Sequence, residues 1–338
     1  MRRKWFFWAV IAVSLFAPLA AALRPQDDFS APPATCVLEL WHTDSFEGGK
    51  NSRAGYLKAR AAEFQRIHSG VFVLVRQVSE EELINRLGEG QMPDMFSFSA
   101  GVGERLLPYL EEYGGGNFRQ TLRTSATHGG RQYALPWCMG GYAFFCYAGR
   151  LTKAGVTAEQ FAKNPLQPAL ASKSGGLLGY GRAQYNNPAA ALKAFALPDG
   201  NANAGTQNYT QAEAYAAYAT GRVSVLLGTQ RDLVRMENAL LSGRADGFHM
   251  VPVSGYTDLV TYFGLAKGAD ARVAEAFFEY VLSPRAQQAL SGIGMFSVTG
   301  EGVYTQGGHA AIERALGGSL TVPNVFTSAE ELNRARTN

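Results

Sequence analysis

Short apolar runs and stretches of helical periodicity alternate along the first hundred residues. CVLELW (36–41), VFVLV (71–75) and DMFSFSA (94–100) are apolar runs of strand length. Between the first two runs, apolar residues recur at helical spacing from about 53 to 68, and a serine and a glutamate spaced as a capping box open a second helix over 79–87. Strands that alternate with helices predict βαβ units, and therefore a parallel sheet with right-handed crossovers.

The rest of the chain continues this alternation less regularly. The aromatic stretch YALPWCMGGYAFFCYAG (133–149) predicts two strands that meet at a Gly-Gly pair. Residues 162–208 are rich in Pro, Gly, Asn and Ala and predict an irregular segment. Periodicity and start signals predict further helices over 210–221, over 229–241 and after 270, and further strands over 222–228, 248–253 and 259–266.

The N-terminus has the three parts of a secretory signal. A basic trio at positions 2–4 precedes an uncharged run over 5–23, which ends near an A-x-A cleavage pattern. As a helix this run would also just cross a bilayer, so residues 1–23 are predicted to be a signal peptide or an N-terminal membrane anchor, and residues 24–36 a linker. In both cases the protein is exported, to the periplasm or to the outer face of the cytoplasmic membrane. A retained anchor would hold it at the membrane surface.

Charge and cysteine usage exclude several kinds of partner and site. The formal net charge is +3 at pH 7, and the basic trio accounts for all of it, so nucleic acid is not expected as a partner. The chain has three cysteines without a Cys-x-x-Cys motif, and its five histidines lack metal-ligand spacing, so no metal or other cofactor is expected. A disulfide between Cys138 and Cys146 is disfavoured, because an extended strand would hold them too far apart.

The chain is predicted not to be an enzyme. It contains no G-x-S-x-G elbow, no P-loop and no H-E-x-x-H motif. Asp44 and Glu47 form a candidate carboxylate pair for glycoside chemistry. The same loop carries Lys50 and Arg53, however, and this mixture favours solvated surface charges.

Aromatic residues are concentrated at the ends of the predicted strands. Those at or next to strand ends are Trp41, Phe96, Phe98, Trp137, Tyr142, Tyr262 and Phe296. Aromatic side chains at such positions either belong to the hydrophobic core or form a surface on which the apolar faces of sugars stack. The sequence alone leaves both interpretations open.

Several segments, in the same order along the chain, resemble the extracellular solute-binding proteins of ABC transporters, in particular their carbohydrate-binding branch. The segments are LELWH (38–42) with FQRIHSGVFVLV (64–75), PDMFSFSAG (93–101), RQYALPWCMGGYAFFCYAGRLTKAGV (131–156), and YATGRVSVLLGTQ (218–230) with AEAFFEYVLSPRAQQAL (274–290). They resemble, respectively, the family's opening strand and helix, its Pro-Asp strand, its crossover, and its later strand and helix.

The resemblance implies an α/β protein with the two-lobe periplasmic-binding-protein (type II) fold, a hinge and a ligand cleft between the lobes. Lobe 1 would comprise residues 37–136 and 258–295, and lobe 2 residues 137–257 and 296–338. It also implies a monomer that captures a small solute, most simply a carbohydrate, by hinge closure and delivers it to the permease subunits of an ABC importer. The residues implied to face the ligand are Trp41, His42, Asp44, Asp94, Phe98, Ser99, Trp137, Tyr142, Thr229, Gln230, Arg231 and Tyr262.

Two departures from the family pattern leave the ligand open. Ala148-Gly149 stands where the family commonly has Asn followed by an acidic residue or Lys, and Thr229-Gln230 stands where it often has Gly-Trp, so one stacking aromatic is missing. Two other functions also stay open. One is an extracytoplasmic glycan hydrolase with Asp44, Glu47 or Asp94 as its carboxylates. The other is a ligand-binding domain that feeds a sensor kinase.

Overall fold

In a computed structural model of the protein, the described residues are 36–165, 177–178, 211–328 and 330–331. The predicted signal segment and most of the predicted irregular segment lie outside them. The strands are β1 (Cys36–Thr43), β2 (Val71–Val78), β3 (Met95–Ser99), β4 (Thr127–His128), β5 (Arg131–Gln132), β6 (Leu135–Met139), β7 (Tyr142–Tyr147), β8 (Leu177–Leu178), β9 (Val225–Thr229), β10 (Phe248–Pro252) and β11 (Val260–Leu265). The α-helices are α1 (Arg53–Ile67), α2 (Glu80–Gly88), α3 (Gly103–Leu106), α4 (Gln120–Arg123), α5 (Ala148–Lys153), α6 (Ala158–Lys163), α7 (Gln211–Ala219), α8 (Gln230–Leu241), α9 (Ala271–Leu282), α10 (Pro284–Gln288) and α11 (Gly307–Ala315).

Lobe 1 is built on a sheet with the strand order β2-β1-β3-β11-β6. β1 is parallel to β2 and β3, as the βαβ pattern predicts, while β11 runs antiparallel between β3 and β6. Helix α1 begins at its N-cap Ser52, whose side chain accepts a hydrogen bond from the backbone N–H of Gly55. Its apolar face, with Leu57 and Phe64 fully buried, packs against this sheet.

Lobe 2 is built on a second sheet with the order β10-β7-β9-β8. β7 is antiparallel to both β9 and β10, and every residue of β9 is buried. Helix α8 follows β9 directly and buries Leu233 and Met236. The two sheets therefore have separate sets of strands, joined where the chain passes between them.

The chain passes between the sheets at Gly140–Gly141, at residues 253–259 and again near Phe296. β6 continues through Met139, so the first crossover begins three residues after the predicted lobe boundary. Met139 and Phe296 exchange backbone hydrogen bonds of 3.1 and 2.9 Å, which brings the first and third crossovers together. A Cβ at Gly141 would lie 2.6 Å from Cγ2 of Ile312, so this crossover has room only for glycine.

Two further findings concern membrane-spanning helices and the cysteines. Among the described residues, no helix has both the length and the apolar character needed to cross a membrane. Cys36, Cys138 and Cys146 are all free thiols, and the last two are buried.

Candidate functional site

The loop that follows β1 touches lobe 2 at the first turn of α8. A Cβ at Gly49 in this loop would lie only 2.9 Å from the Cα atom of Arg231. The carboxyl ends of β1 and β3 point toward this contact, and in open α/β sheets ligands bind at that edge. The candidate site is therefore the region between the loop 44–50 of lobe 1 and the start of α8 in lobe 2.

On the lobe 1 side, buried polar groups form a chain that leads to Asp44. Trp137 Nε1 donates to Ser97 Oγ at 3.1 Å, and Ser97 Oγ lies 2.9 Å from Nδ1 of the fully buried His42. His42 Nε2 lies 3.1 Å from Asp44 Oδ1, and Gln77 Nε2 donates to Asp44 Oδ2. Because a carboxylate only accepts, Nε2 carries the imidazole proton, and the Ser97 hydroxyl donates to Nδ1. The orientation of Asp44 is thus fixed from inside lobe 1.

This chain is not a catalytic Ser-His-Asp arrangement. Ser97 has no exposed surface, and its hydroxyl is occupied by Trp137 and His42. Burial lowers the pKa of His42 to about 4, which keeps the imidazole neutral at pH 7. The network therefore has a positioning role, and it reaches the surface at Asp44, with 36% of its side chain accessible, and at Gln77.

The two carboxyl groups of the loop have pKa values shifted in opposite directions. Burial opposes the charge of Asp44, but the hydrogen bond from His42 and the nearby Arg53 hold its pKa below the usual value. Burial raises the pKa of Glu47, and the negative charge of Asp44 adds to this effect. The Glu47 carboxylate accepts from the backbone N–H of Arg53 at 3.1 and 3.3 Å, so it is tied to the start of α1. Asp44 is the more exposed of the two acceptors, with 36% of its side chain accessible against 24% for Glu47.

Arg53, expected at the surface, is fully buried behind this loop. Its Nη1 donates to Thr261 Oγ1 at 2.5 Å and to Ser45 Oγ at 3.4 Å, and its Nε has no hydrogen-bond partner. The Ser45 hydroxyl in turn donates to Ser99 Oγ at 2.7 Å. A buried guanidinium is costly unless it is hydrogen-bonded, so it holds the loop against the ends of the strands. No local signal could have shown this, because Thr261 lies 208 positions away.

On the lobe 2 side, the first turn of α8 is fixed by a capping box. Thr229 Oγ1 accepts from the N–H of Arg231 at 3.3 Å, and the buried Asp232 accepts from the N–H of Thr229 at 3.0 Å. The first N–H groups of a helix carry partial positive charge, and the side chain of Arg231 is partly exposed beside them. This turn therefore offers hydrogen-bond donors to the region beside the loop 44–50, which it contacts at Gly49.

Gln230 and Tyr142, two of the residues expected in the cleft, make hydrogen bonds to the crossovers. Gln230 is fully buried; its Oε1 accepts from the N–H of Gly141 at 3.0 Å, and its Nε2 lies 3.4 Å from Met295 Sδ. The Tyr142 hydroxyl donates to Asp258 at 2.5 Å. Both side chains therefore hold the passing strands together, and their contacts belong to the hinge.

The other predicted aromatics are placed in the hydrophobic core. Trp41, Phe98, Trp137 and Tyr262 are each at most 2% exposed. Trp137, for example, is stacked between Tyr56 and Phe263, with ring centroids 5.6 and 5.5 Å away. Of the two interpretations that the sequence left open, these contacts favour the core.

Asp94 lies at the other end of lobe 1 from the candidate site. It precedes β3, and its carboxylate accepts from the backbone N–H of Glu39 at 2.7 Å, whereas Ser99 ends the same strand beside Ser45. Its contact is therefore structural. On lobe 1 the structure joins His42 to Asp44, and Ser99 to Ser45 in the same loop. Thr229 and Arg231 lie at the first turn of α8, which this loop contacts at Gly49. In the described ranges, no group of three or more His, Cys, Asp or Glu residues is placed to hold a metal ion.

Three solved structures have a similar fold at low sequence identity. The GacH receptor of Streptomyces glaucescens, solved unliganded and with acarbose, matches with a TM-score of 0.57 and 15% identity over 90% of this chain and 93% of that chain. Maltose-bound MalE3 of T. maritima matches with a TM-score of 0.59 and 12% identity over 89% and 98%. Iron-bound HitA of Pseudomonas aeruginosa matches with a TM-score of 0.55 and 15% identity over 89% and 98%. At these identities the likeness shows the fold alone, and it confirms the predicted two-lobe type II architecture.

The family assignment rests on the sequence. No curated protein matches the chain. The model of the family described as bacterial extracellular solute-binding protein matches residues 50–288, which is well over half of the chain. The match takes in the strands from β2 to β11 and the helices from α1 to α10, while β1 and residues 44–49 precede it. The chain is therefore a member of the bacterial extracellular solute-binding proteins.

Proposed function

We propose that this protein is the substrate-binding component of an ABC importer and captures a small solute, most simply a carbohydrate, between its two lobes. The observation that carries the proposal is the division of the site. The exposed acceptor Asp44 belongs to lobe 1, and the donors at the first turn of α8, with Arg231, belong to lobe 2. A solute can bind one half first and gain the second set of contacts only when the lobes meet.

The closed state is then stabilised by the ligand through a simple free-energy difference. Contacts made only after closure favour the closed form by their own binding free energy. A ligand that binds the closed form about 10⁴-fold more tightly than the open form moves a 1:99 equilibrium to 99:1. The glycines at the Gly140–Gly141 crossover supply the backbone freedom that such a movement needs.

The chemistry of the site supports a polyhydroxylated, uncharged solute. An ionised carboxylate opposite backbone and guanidinium donors suits hydroxyl groups, which both donate and accept. Two of the similar structures, GacH with acarbose and MalE3 with maltose, hold sugars. The described residues of this chain lack the metal-ligand cluster that a bound iron, as in HitA, would need. Trp41 and Trp137 are buried, and the aromatic of the family's Gly-Trp pair is missing, so these positions offer no ring for stacking on a sugar. Hydrogen bonds would therefore contribute more than stacking to the choice of sugar.

The direct test is thermal stabilisation by a panel of mono- and oligosaccharides, amino acids and polyamines. A ligand at 100 times its Kd adds about 2.7 kcal/mol to the free energy of unfolding, which raises Tm by about 4 °C for a chain of this size. Asp44→Asn should reduce the shift produced by the best sugar, whereas Asp94→Asn should not, beyond its own effect on Tm. A folded sample that responds to no solute would contradict the proposal, and a response to amino acids alone would contradict the sugar.

Delivery to a permease is a separate part of the proposal. Family membership implies an exported protein. The permease subunits of an importer would bind its closed, solute-loaded form at the outer face of the membrane. Neighbouring genes for permease subunits, and stimulation of that importer's ATPase by the protein together with its solute, are the expected results. A neighbouring sensor kinase in place of a permease would point to ligand sensing instead.

One observation favours a hydrolase as the second candidate. The opposite pKa shifts of Asp44 and Glu47 are the pattern of a base and an acid that share one site. The family is a substrate-binding class, and Glu47 is tied to the start of α1, so capture is preferred. Release of reducing sugar from a glycan, abolished by Asp44→Asn with binding retained, would overturn this preference.

A further inference from the structure

A second cavity, of about 710 Å³, lies in lobe 2 at the end of the sheet that is far from the crossovers. β7 begins with Tyr142 at the Gly140–Gly141 crossover and ends with Tyr147, which lines this cavity. Five residue steps at about 3.3 Å separate the two tyrosines by about 17 Å. The cavity is therefore distinct from the region between the lobes.

The walls of this cavity carry an excess of positive charge. Arg150 and Lys153 come from α5, Arg244 comes from the turn after α8, and Asp246 is the single carboxylate among the lining residues. Within the described part of the chain none of these four groups is ion-paired, in contrast to Arg235, which is paired with Asp232 at 2.8 Å. Cations that converge on a cavity without counter-ions create a local field that attracts anions.

One of these cations is held in a fixed position. The guanidinium of Arg150 lies 4.9 Å from the ring centroid of Tyr147 and 4.5 Å from that of Tyr218. Its Nη1 donates to the carbonyl of Val223 at 3.0 Å and its Nη2 to the carbonyl of Ala219 at 3.5 Å, which uses two of the five N–H groups of the guanidinium. The ring of Tyr215, which also lines the cavity, is packed under the guanidinium of Arg235 at 4.6 Å. A site ordered in advance loses little entropy when a ligand binds.

We propose that this cavity binds a small organic anion, either a carboxylate or a phosphate ester, separately from the solute held between the lobes. Its volume falls within the range of small-molecule sites, about 300–1,000 Å³. The planar fork of Arg150 matches the paired oxygens of a carboxylate or a phosphate, and Lys153 and Arg244 add charge from two sides. Asp246 can accept a hydroxyl of the same ligand, which favours hydroxylated anions over bare inorganic ones.

Isothermal titration calorimetry with citrate and with glucose 6-phosphate tests the proposal, with glucose as the uncharged probe. The test variant is Lys153→Gln with Arg244→Gln, because both side chains are exposed and neither packs in the core. The matched control is Lys58→Gln with Arg66→Gln, an exposed lysine and arginine on α1 that remove the same charge from lobe 1. We expect Kd for the anion to rise at least about tenfold in the test variant and less than about twofold in the control.

A third variant separates this site from the one between the lobes. Arg231→Ala should leave anion binding unchanged, because Arg231 belongs to the first turn of α8, at the opposite end of that helix from Arg244. Three results would each overturn the proposal: no saturable binding of either anion at about 10 mM, equal weakening in the test and control variants, or weakening by Arg231→Ala. None of them depends on whether a sugar binds between the lobes, so failure here and failure of the proposed import function are distinguishable.

Discussion

Replacing Gly49 by alanine is expected to push the two lobes apart. Gly49 has φ +91°, and a Cβ there would lie 2.9 Å from Cα and 3.2 Å from Cγ of Arg231 across the contact between the lobes. The backbone of Arg231 cannot rotate away as a side-chain tip can. The added methyl group therefore opposes the closed state specifically.

The size of the effect follows from two contributions. Alanine in a left-handed conformation costs about 1–2 kcal/mol, which lowers stability in both the open and the closed form. Overpacking against Arg231 costs about 1–3 kcal/mol more, and only when the lobes meet. Since the ligand must overcome this second cost, its Kd should rise about 5- to 150-fold.

Gly90→Ala is the matched control. Gly90 has φ +78°, and a Cβ there would meet nothing within 4 Å, so this variant carries the backbone cost without the contact. Small-angle X-ray scattering at a solute concentration that closes the Gly90→Ala variant should give a larger radius of gyration for Gly49→Ala, although the Tm values of the two ligand-free variants fall together. If the two variants have the same radius of gyration and the same solute Kd, the contact at Gly49 does not limit closure and the reasoning fails.

Three further predictions concern buried groups. Trp137→Ala should lower the free energy of unfolding by about 3–5 kcal/mol in urea titrations, with a smaller loss for Trp137→Phe; an unchanged midpoint would show that the indole is not core. Burial lowers the pKa of His42 and of His309 to about 4, whereas an imidazole of the unfolded chain has a pKa of about 6.5. The free energy of unfolding should therefore be constant above pH 6.5 and should fall by about 3 kcal/mol per imidazole between pH 6.5 and pH 4. His42→Gln should remove about half of that fall and leave the part due to His309, and a flat profile of the parent protein would contradict the assignment. Burial also raises the pKa of Cys138 and Cys146 to about 12, so thiol reagents should modify them only after unfolding.

The helices and strands could be predicted from the sequence because their signals act over a few residues. The serine and glutamate of the predicted capping box are Ser79 and Glu82, and the Ser79 hydroxyl does accept from the N–H of Glu82 at 3.1 Å. The helix expected over 229–241 runs from Gln230 to Leu241, with Thr229 as its cap. The two-lobe fold followed from the order of these elements and the family resemblance.

The roles of individual side chains were harder to predict, because they depend on partners far away in the chain. Trp137 ends up in the core because Tyr56 and Phe263 cover both faces of its ring. Arg53 is buried because Thr261 arrives beside it from the second crossover. Each of these contacts is created by the packing of β11 and α1 around β6. A strand-end aromatic or a charge at a helix start therefore has the same local pattern whether it is solvated, buried or ligand-binding.

The position of β11 in the lobe 1 sheet also leads us to expect a particular order of folding. Phe263 pairs with Ser97, so β11 lies between β3 and β6 although it is far from β3 along the chain. The strands of the lobe 2 sheet lie between β3 and β11 in the sequence. Closing a flexible loop of that length costs about 2 kcal/mol more than closing a ten-residue turn. Formation of lobe 2 first would bring Tyr142 and Val253 together, whose hydrogen bond of 2.9 Å shortens the loop to be closed. Until then β3 has an unpaired edge, which is the stage at which an exported chain of this topology most needs protection from aggregation.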